Sequence, residues 1–339
     1  MRRDANARRR RANPAVRRLA PLLILLVWPT SLAAQMVRLP PPTMTASGRG
    51  GIEAVSYDTP LLAETASVTP EPAMPPGTRP GMFQKLILDG TWLMPGGGDD
   101  FGVSSLEAKA VFALPCPART SPLLITPGFA VHYLDGPTTP DLPPRLYDAT
   151  TQFRWLAELS PRWAVDLMVK PGIYSDFEQG TDDAFRITGY GVAVLTCNPR
   201  FKLALGAAYL DQADLSVVPA VGIIWTPRDD LKFELIMPRP RIAARIDRPG
   251  AWAKDVETWV YIAGELGGGT WAIERAAGAT DELRYTDYRV LLGLQRKRPY
   301  GLDTRLEVGY VFGREVEFGS GQGDFDPDGT LLLRGGVTY

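Results

Sequence analysis

Residues 330–339 read TLLLRGGVTY, and their apolar side chains Leu331, Leu333, Val337 and Tyr339 fall on one set of alternating positions. Successive side chains of a β-strand point to opposite faces, so this spacing predicts a strand with one apolar face. An unpaired strand would leave its backbone amides and carbonyls exposed at a sheet edge. The stretch therefore predicts a partner strand elsewhere in the chain.

The same alternation begins at residue 83 and continues to residue 339. In QKLILDGTWLM (84–94), Leu86, Leu88 and Trp92 share one face, whereas Asp89 and Thr91 share the other. Each such segment predicts a strand with one apolar and one polar face. The further segments lie at 103–114, 122–133, 147–157, 163–173, 184–195, 200–210, 215–226, 230–237, 257–266, 284–295 and 302–312.

Three features favour a membrane barrel over a soluble sandwich. Many segments run about ten to thirteen residues, longer than the usual soluble strand of about 5–6 and suited to a tilted crossing of about 9–11. Short turns alternate with longer polar loops, as in bacterial outer-membrane barrels. Aromatic residues also stand near the strand ends, where a membrane interface would place them. These are Trp92, Tyr133, Tyr147, Trp155, Trp163, Tyr174, Tyr209 and Trp225.

The number of strands follows from parity. With 330–339 the segments give an odd count of about thirteen, but both ends of the barrel must lie on the short-turn side, which requires an even count. Gly267, Gly268 and Gly269 supply a tight turn, and 270–276 becomes the added strand. We therefore expect an all-β, closed, antiparallel up-and-down transmembrane barrel of about 14 strands, with 12 as the alternative. In this barrel 330–339 pairs with 84–94.

The first 82 residues differ in character. Eight arginines precede the apolar run 19–28, and small residues follow it, which is the pattern of a secretory signal peptide over 1–34. Residues 35–82 are rich in proline and predict a disordered tether, with a lumenal plug as the alternative. We assign the barrel to 83–339, the location to the cell outer membrane, and outer-membrane lipid as its surroundings.

Charge and composition narrow the function. Removing the eight arginines and Asp4 of the signal leaves 29 Lys and Arg against 37 Asp and Glu, about −8, so we expect no nucleic-acid partner. No motif implies a cofactor. The chain has a single histidine, His132, which predicts a polar lumen residue more readily than a general base. These features predict that the protein is not an enzyme.

Several stretches resemble an uncharacterised planctomycete family of predicted outer-membrane β-barrels (domain of unknown function 6268). The stretches are SPLLITPGFAVHYLDGP (121–137), LPPRLYDA (142–149), PGIYSDFEQ (171–179), WAIERAAGA (271–279) and RGGVTY (334–339). The resemblance spans about 83–339. It implies the barrel fold and the outer-membrane location, and it carries no catalytic residue.

The end of the chain resembles the sorting signal that the barrel assembly machinery reads during biogenesis. Val337 and Tyr339 fit that pattern, whereas Gly335 stands one position from the usual glycine. We therefore expect this machinery to be a partner.

Chemical motifs are few. Asp324, Asp326 and Asp328 have the spacing of the first calcium-loop ligands, but position 12 is Gly335, so an EF-hand is excluded and only a weak surface calcium site is left. Carboxylates at Glu178, 182–183 and 229–230 could serve a glycosidase, although solvated charge explains them better. Cys116 and Cys197 lie too far apart along the predicted sheet for a disulfide.

Strand parity also predicts the side chains that face the lumen. They are Asp89, Glu107, Lys109, Arg154, Asp166, Lys170, Arg186, Arg289, Arg305 and Glu307. Such mixed charge can line a pore or form ion pairs that close a lumen.

One part of the predicted inner wall is small and apolar. It comprises Tyr190, Val192, Val194, Ala204, Gly206, Val218 and Ala220. The sequence therefore favours a passive channel or transporter for small, partly apolar solutes. A structural or surface-interaction barrel and an exported soluble β-sandwich with a hydrolase or carbohydrate-binding role stay as alternatives.

Overall fold

A computed structural model describes residues 81–96, 101–118, 121–137, 139–178, 184–210, 217–246, 256–298 and 301–339. The predicted signal peptide (1–34) and nearly all of the predicted tether (35–82) lie outside these residues. The described residues form strands joined by turns and loops. The strands are β1 (Phe83–Leu93), β2 (Gly102–Ala118), β3 (Ser121–Asp135), β4 (Arg145–Ser160), β5 (Trp163–Ser175), β6 (Phe185–Asn198), β7 (Phe201–Tyr209), β8 (Val217–Pro219), β9 (Gly222–Arg228), β10 (Leu231–Ile236), β11 (Arg241–Arg245), β12 (Glu257–Glu274), β13 (Thr280–Lys297), β14 (Asp303–Phe318) and β15 (Thr330–Thr338).

The strands form one closed antiparallel sheet. Each strand pairs with the next along the chain, except that β9 pairs with β7 and not with β8, and β15 closes the ring on β1. The closing pair places Leu88 opposite Val337 and Trp92 opposite Leu333. Strands β8 and β9 both pair with β7 and make a single crossing. The described strands therefore cross the barrel 14 times, and the predicted fold and the pairing of 330–339 are confirmed.

The predicted number of strands is right, but two of the predicted elements are wrong and their effects on the count cancel. The glycines 267–269 do not form a turn, because β12 runs through them and pairs with β13 without interruption. The predicted strand 270–276 is thus the upper part of β12. Conversely, the predicted outer loop 238–255 contains β11, a five-residue strand that is too short to show a clear alternation.

The outer face of the strands is apolar. On β14 and β15, Leu306, Val308, Leu331 and Leu333 are each about half exposed, whereas their neighbours in sequence point inward. This is the surface of a barrel that spans a membrane with its strands. In the described part of the chain there is no helix with the length and apolarity needed to cross a membrane.

Most of the predicted interfacial aromatics lie on this outer face. Trp92, Tyr133, Trp163, Tyr209 and Trp225 are all exposed. Tyr174 is the exception: it is 8% exposed and belongs to the apolar cluster inside the barrel. The prediction for Tyr174 was wrong because the alternation along β5 puts it on the same inward face as Asp166 and Met168.

The strands differ greatly in length, which makes the upper end of the barrel uneven. We call upper the end at which β1 stops. Strands β12 and β13 have 18 residues each, whereas β10 has six and β11 has five. The turn between β10 and β11 therefore lies at mid-height, level with Gly264 of β12, whose amide bonds the Pro240 carbonyl.

The long β12–β13 hairpin bends across the upper end. Gly268 has a φ of +115°, and β13 carries a bulge between Thr286 and Tyr288 in its pairing with β14. Gly313 of β14 also has a positive φ. These three irregularities lie at nearly one height, so the sheet folds inward there, since glycines and bulges allow a strand to bend.

The bent hairpin reaches the opposite wall. Ala272 of β12 bridges to Ser175 of β5, and the Asp176 amide donates to the Ala272 carbonyl. The Ala276 amide donates to Asp141, which also pairs with Arg275. The bond from Ala276 and the nearby guanidinium hold the pKa of Asp141 below its usual value, so its carboxylate stays charged in mildly acidic solution. The hairpin thus forms a roof over the lumen.

We expect Gly268→Ala to destabilise the barrel by at least about 1 kcal/mol, because alanine disfavours a positive φ. A Cβ at this position would also lie 1.9 Å from the Tyr285 carbonyl oxygen. A folded barrel stays compact in detergent and runs faster on a gel than the boiled, unfolded chain. The measurement is the temperature at which this compact gel band is lost. Gly335→Ala is the matched control, since its Cβ would meet no atom within 4 Å. Equal melting of the two variants would contradict the role of the bend.

Candidate functional site: a cavity inside the barrel

A cavity of about 250 Å³ lies beneath the roof, inside the barrel. Its two sides differ in chemistry. Five charged side chains line it from β1 and from β12 to β15, whereas the lining from β6, β7 and the segment 220–236 is mostly apolar, and β2 to β5 contribute both kinds. Seven Lys and Arg side chains and four Asp and Glu side chains line it, and three of these arginines also pair with carboxylates outside the lining: Arg186 with Glu282, Arg289 with Asp287 and Arg334 with Glu307.

Glu265 of β12 is the centre of the charged side. Its Oε1 accepts from Arg334 Nη2 at 2.6 Å and from Arg289 Nη1 at 3.0 Å, and Arg239 Nη2 lies 3.2 Å from its Oε2. Glu265 is 6% exposed. A buried carboxylate is tolerated only when it is paired. Here three guanidinium groups from separate parts of the barrel compensate its negative charge.

Glu307 of β14 extends the same network. It accepts from Tyr261 Oη at 2.5 Å and from Arg334 Nη1 at 3.1 Å, and it is fully buried. Arg239 approaches it at 3.9 Å. Because Arg239 lies in the turn between β10 and β11, these contacts hold that low turn inside the lumen.

Two further ion pairs complete the charged side. Arg289 bonds Asp287 through two nitrogens, at 2.6 and 2.9 Å. Arg305 Nη2 donates to Asp89 at 2.7 Å, which joins β14 to β1 across β15. With Arg239 and Arg334, four arginines face four carboxylates, so this network is balanced in charge.

A separate buried pair lies on the opposite side of the barrel. Arg154 of β4 donates to both carboxylate oxygens of Asp166 of β5, at 2.9 and 2.7 Å. The Tyr190 hydroxyl lies 3.3 Å from the same carboxylate. This bidentate pair fixes the β4–β5–β6 wall beside the apolar face.

The apolar side is a compact cluster of small side chains. Val192, Val194, Ala204, Ala220 and Ile236 are all buried and pack together, with Tyr190 and Ile224 at the margin. These residues come from neighbouring strands, so their inward positions form a continuous surface. The cluster contains four of the seven residues that strand parity had placed on a small apolar wall, with a fifth, Tyr190, at its margin.

Beneath the roof, three polar side chains form a hydrogen-bonded chain. Ser105 Oγ lies 2.7 Å from His132 Nδ1, and His132 Nε2 lies 3.1 Å from Asp148 Oδ2. The Trp271 indole donates to Asp148 Oδ1 at 2.7 Å, and its ring meets the His132 ring edge-on. All four residues line the cavity.

The sequence did not single out this chain of polar residues. The alternation along the strands places Ser105 on the same face as Glu107, and it places His132 and Asp148 on polar faces. The inward direction of all three side chains could therefore be predicted from the sequence. Their meeting depends on the register of β2, β3 and β4, which sets Ser105 opposite His132 and Ala130 opposite Asp148. Strand register could not be read from the chain alone.

The ten residues predicted to face the lumen all lie on the inside of the barrel. Seven of them border the cavity, and the other three are buried in ion pairs. The seven are Asp89, Glu107, Lys109, Lys170, Arg186, Arg289 and Arg305. The three are Arg154, Asp166 and Glu307.

The aspartates predicted as a weak calcium site do not form one. Asp324 accepts the Phe318 amide at 2.8 Å, and Asp328 contributes its backbone carbonyl to Arg314. Across the residues that the structure describes, no three His, Cys, Asp or Glu side chains are placed to hold a metal ion. Cys116 and Cys197 are both free and exposed.

Fold and cavity together define a closed transmembrane β-barrel with a roofed, two-sided lumen. Residues 136–323 match the family described as Domain of unknown function (DUF6268), and the chain belongs to this family. The match begins in the loop before β4 and ends in the loop after β14. No curated protein matches the chain in sequence.

Two solved structures are similar to the barrel. LpxR from Salmonella typhimurium is 10% identical, with a TM-score of 0.37, over 75% of this chain and 99% of that chain. The TodX monoaromatic hydrocarbon channel, a deltaS2 mutant, is 12% identical, with a TM-score of 0.34, over 77% of this chain and 90% of that chain. These comparisons do not uphold the prediction that this protein is not an enzyme.

We expect Glu265→Gln to lower the free energy of unfolding by about 3–5 kcal/mol, because it leaves buried arginines without their shared carboxylate. Glu257→Gln on the same strand is the matched control. Glu257 pairs with Arg245 at an exposed site, and such pairs contribute about 0–1 kcal/mol. Urea unfolding in lipid, followed by tryptophan fluorescence, compares the two variants. Similar midpoints would contradict a structural role for the network.

Proposed function

We propose that this protein is an outer-membrane barrel that binds small, partly apolar solutes carrying a negative group and passes them through its lumen. The observation that carries the proposal is the cavity with one apolar and one charged side. An apolar body can lie against Val192, Ala220 and Ile236, while an anionic group meets the arginines of the charged side. Sites for small ligands commonly combine apolar walls with a few polar groups.

The outer membrane is the location that best suits this barrel. Its strands carry an apolar outer face with exposed aromatic residues, and outer-membrane barrels share both features. The predicted signal peptide over 1–34 supplies the export route, and the predicted sorting signal at Val337 and Tyr339 supplies recognition by the assembly machinery.

The buried ion pairs argue against a wide, water-filled pore. Arg239 on the β10–β11 turn pairs inside the lumen with Glu265 of β12 and approaches Glu307 of β14. A solute that reaches the cavity can therefore pass on through the barrel only when these ion pairs open. Selective passage of small molecules follows from such a narrow route, whereas a general diffusion pore would leave its lumen open.

The uneven upper end offers an entrance for the solute. Above Ala263 the β12 edge has no described strand beside it on the β11 side until the bridge at Ala272. The cavity reaches this part of the wall, where Arg186, Leu210, Pro238 and Thr270 border it. We propose that solutes enter between β6 and β12, under the roof.

We expect Val192→Gln and Ala220→Gln each to weaken solute binding about tenfold, because both residues line the cavity and an amide on this apolar wall costs about 1–3 kcal/mol of desolvation. The probe is hexanesulfonate, a permanently anionic solute with a short apolar chain. Titration calorimetry in a nonionic detergent measures its affinity, and flux into proteoliposomes measures its passage.

Leu205→Ala is the control for these variants. Leu205 neighbours Ala204 on β7 but points to the outside, where it is 66% exposed. It should leave hexanesulfonate binding unchanged. Equal affinity in the wild type and both glutamine variants would rule out the apolar wall as the binding surface.

A further inference from the structure

The hydrogen-bonded chain of Ser105, His132 and Asp148 has the components of a nucleophile, a base and an orienting carboxylate. The oxygen of Ser105 lies 2.7 Å from one ring nitrogen of His132, and a carboxylate oxygen of Asp148 lies 3.1 Å from the other. This arrangement of serine, imidazole and carboxylate is recognised by geometry and role, whatever fold carries it.

The carboxylate decides which nitrogen of His132 carries the proton. An ionised Asp148 can only accept hydrogen bonds, so His132 Nε2 must donate to it. The neutral ring then has an unprotonated Nδ1, which faces Ser105 and accepts from its hydroxyl. His132 is therefore poised to take the Ser105 proton.

The roof holds the orienting carboxylate in place. Trp271 Nε1 donates to Asp148 Oδ1 at 2.7 Å, while the other oxygen, Oδ2, accepts from His132 Nε2. Trp271 belongs to the bent hairpin, so the bend at Gly268 places the indole against the chain of polar residues. Both carboxylate oxygens are thus engaged, which restricts rotation of Asp148 and of the imidazole.

The chain of polar residues is open to the cavity. The side chains of His132 and Asp148 keep 19% and 20% of their exposure, and Ser105 is also partly exposed. The three residues share the cavity with the apolar cluster around Val192. An acyl chain on the apolar cluster can therefore have its carbonyl at Ser105.

We propose that the barrel hydrolyses small carboxylic esters, with Ser105 as the nucleophile and His132 as the general base. Ser105 Oγ attacks the ester carbonyl carbon, its proton moves to His132 Nδ1, and the bond to the leaving alkoxide breaks as that proton is delivered to it. Water then attacks the acyl carbon and gives a proton to Nδ1. The acid leaves, and the proton returns to Ser105 Oγ.

The cavity defines the class of ester. At about 250 Å³ it is smaller than the 300–1,000 Å³ or so that drug-sized ligands fill, which favours short acyl chains. This inference rests on the proposed solute cavity and adds a reaction to it.

The test uses the full-length protein, purified as the compact species in nonionic detergent. We expect it to hydrolyse p-nitrophenyl butyrate, and we expect a fluorophosphonate probe to label Ser105, as located by mass spectrometry. Ser105→Ala should lose at least about 10²-fold in kcat/KM and all labelling. Ser104→Ala is the matched control, since Ser104 is the next residue on β2 and points outward.

Asp148→Asn tests the positioning role of the carboxylate. We expect kcat to fall by about 10²-fold or more while KM changes little, because asparagine fits the site but no longer stabilises the protonated imidazole. A variant that loses only its fold would lose the compact gel band, which is read in parallel. Equal kcat in wild type and Asp148→Asn would overturn the positioning role.

The outcomes separate this inference from the proposed function. Hydrolysis and labelling that disappear in Ser105→Ala, with hexanesulfonate binding retained, support the esterase. Absence of both hydrolysis and labelling in the compact wild type overturns it, even when hexanesulfonate still binds. Labelling that persists in Ser105→Ala also overturns it, because the reactive group is then another residue.

Discussion

Charge buried inside a membrane barrel must find a partner within the barrel, and Glu265 is where this constraint shapes the molecule. Its three arginine partners come from β13, β15 and the turn before β11, so one carboxylate joins elements that are distant along the chain. Removing a guanidinium or the carboxylate would leave an uncompensated buried charge, which costs several kcal/mol. The network therefore fixes both the spacing of these strands and the inward position of the low turn that carries Arg239.

The second determinant of the lumen is the bend in the longest hairpin. Strands of 18 residues exceed what a bilayer crossing needs, and the excess folds inward at Gly268 instead of projecting away from the barrel. The folded part meets β5 at Ser175 and Asp148 of β4 through Trp271. One local backbone conformation thus closes the upper end and sets the orientation of the polar chain beneath it.

These two features leave a cavity whose sides differ in chemistry. The network supplies fixed, mutually paired charges on one side, while the tightly packed small residues around Val192 supply an apolar surface on the other. A molecule with an apolar body and an anionic group matches both sides at once. The Ser105, His132 and Asp148 chain lies where such a molecule would be held, so binding and hydrolysis are compatible uses of the same space.

The sequence by itself determined the strand type, the direction of most side chains and the closure of the barrel, because an alternation of two residues is a local property that every long strand records. It failed where elements were short or irregular: β11 has too few residues to show a period, and the glycines 267–269 allow a bend as well as a turn. Only the tertiary structure decided which inward residues meet. The Glu265 network and the contact between Ser105 and His132 depend on register, strand bending and unequal strand lengths, which arise from the packing of the whole barrel and leave no local pattern in the chain.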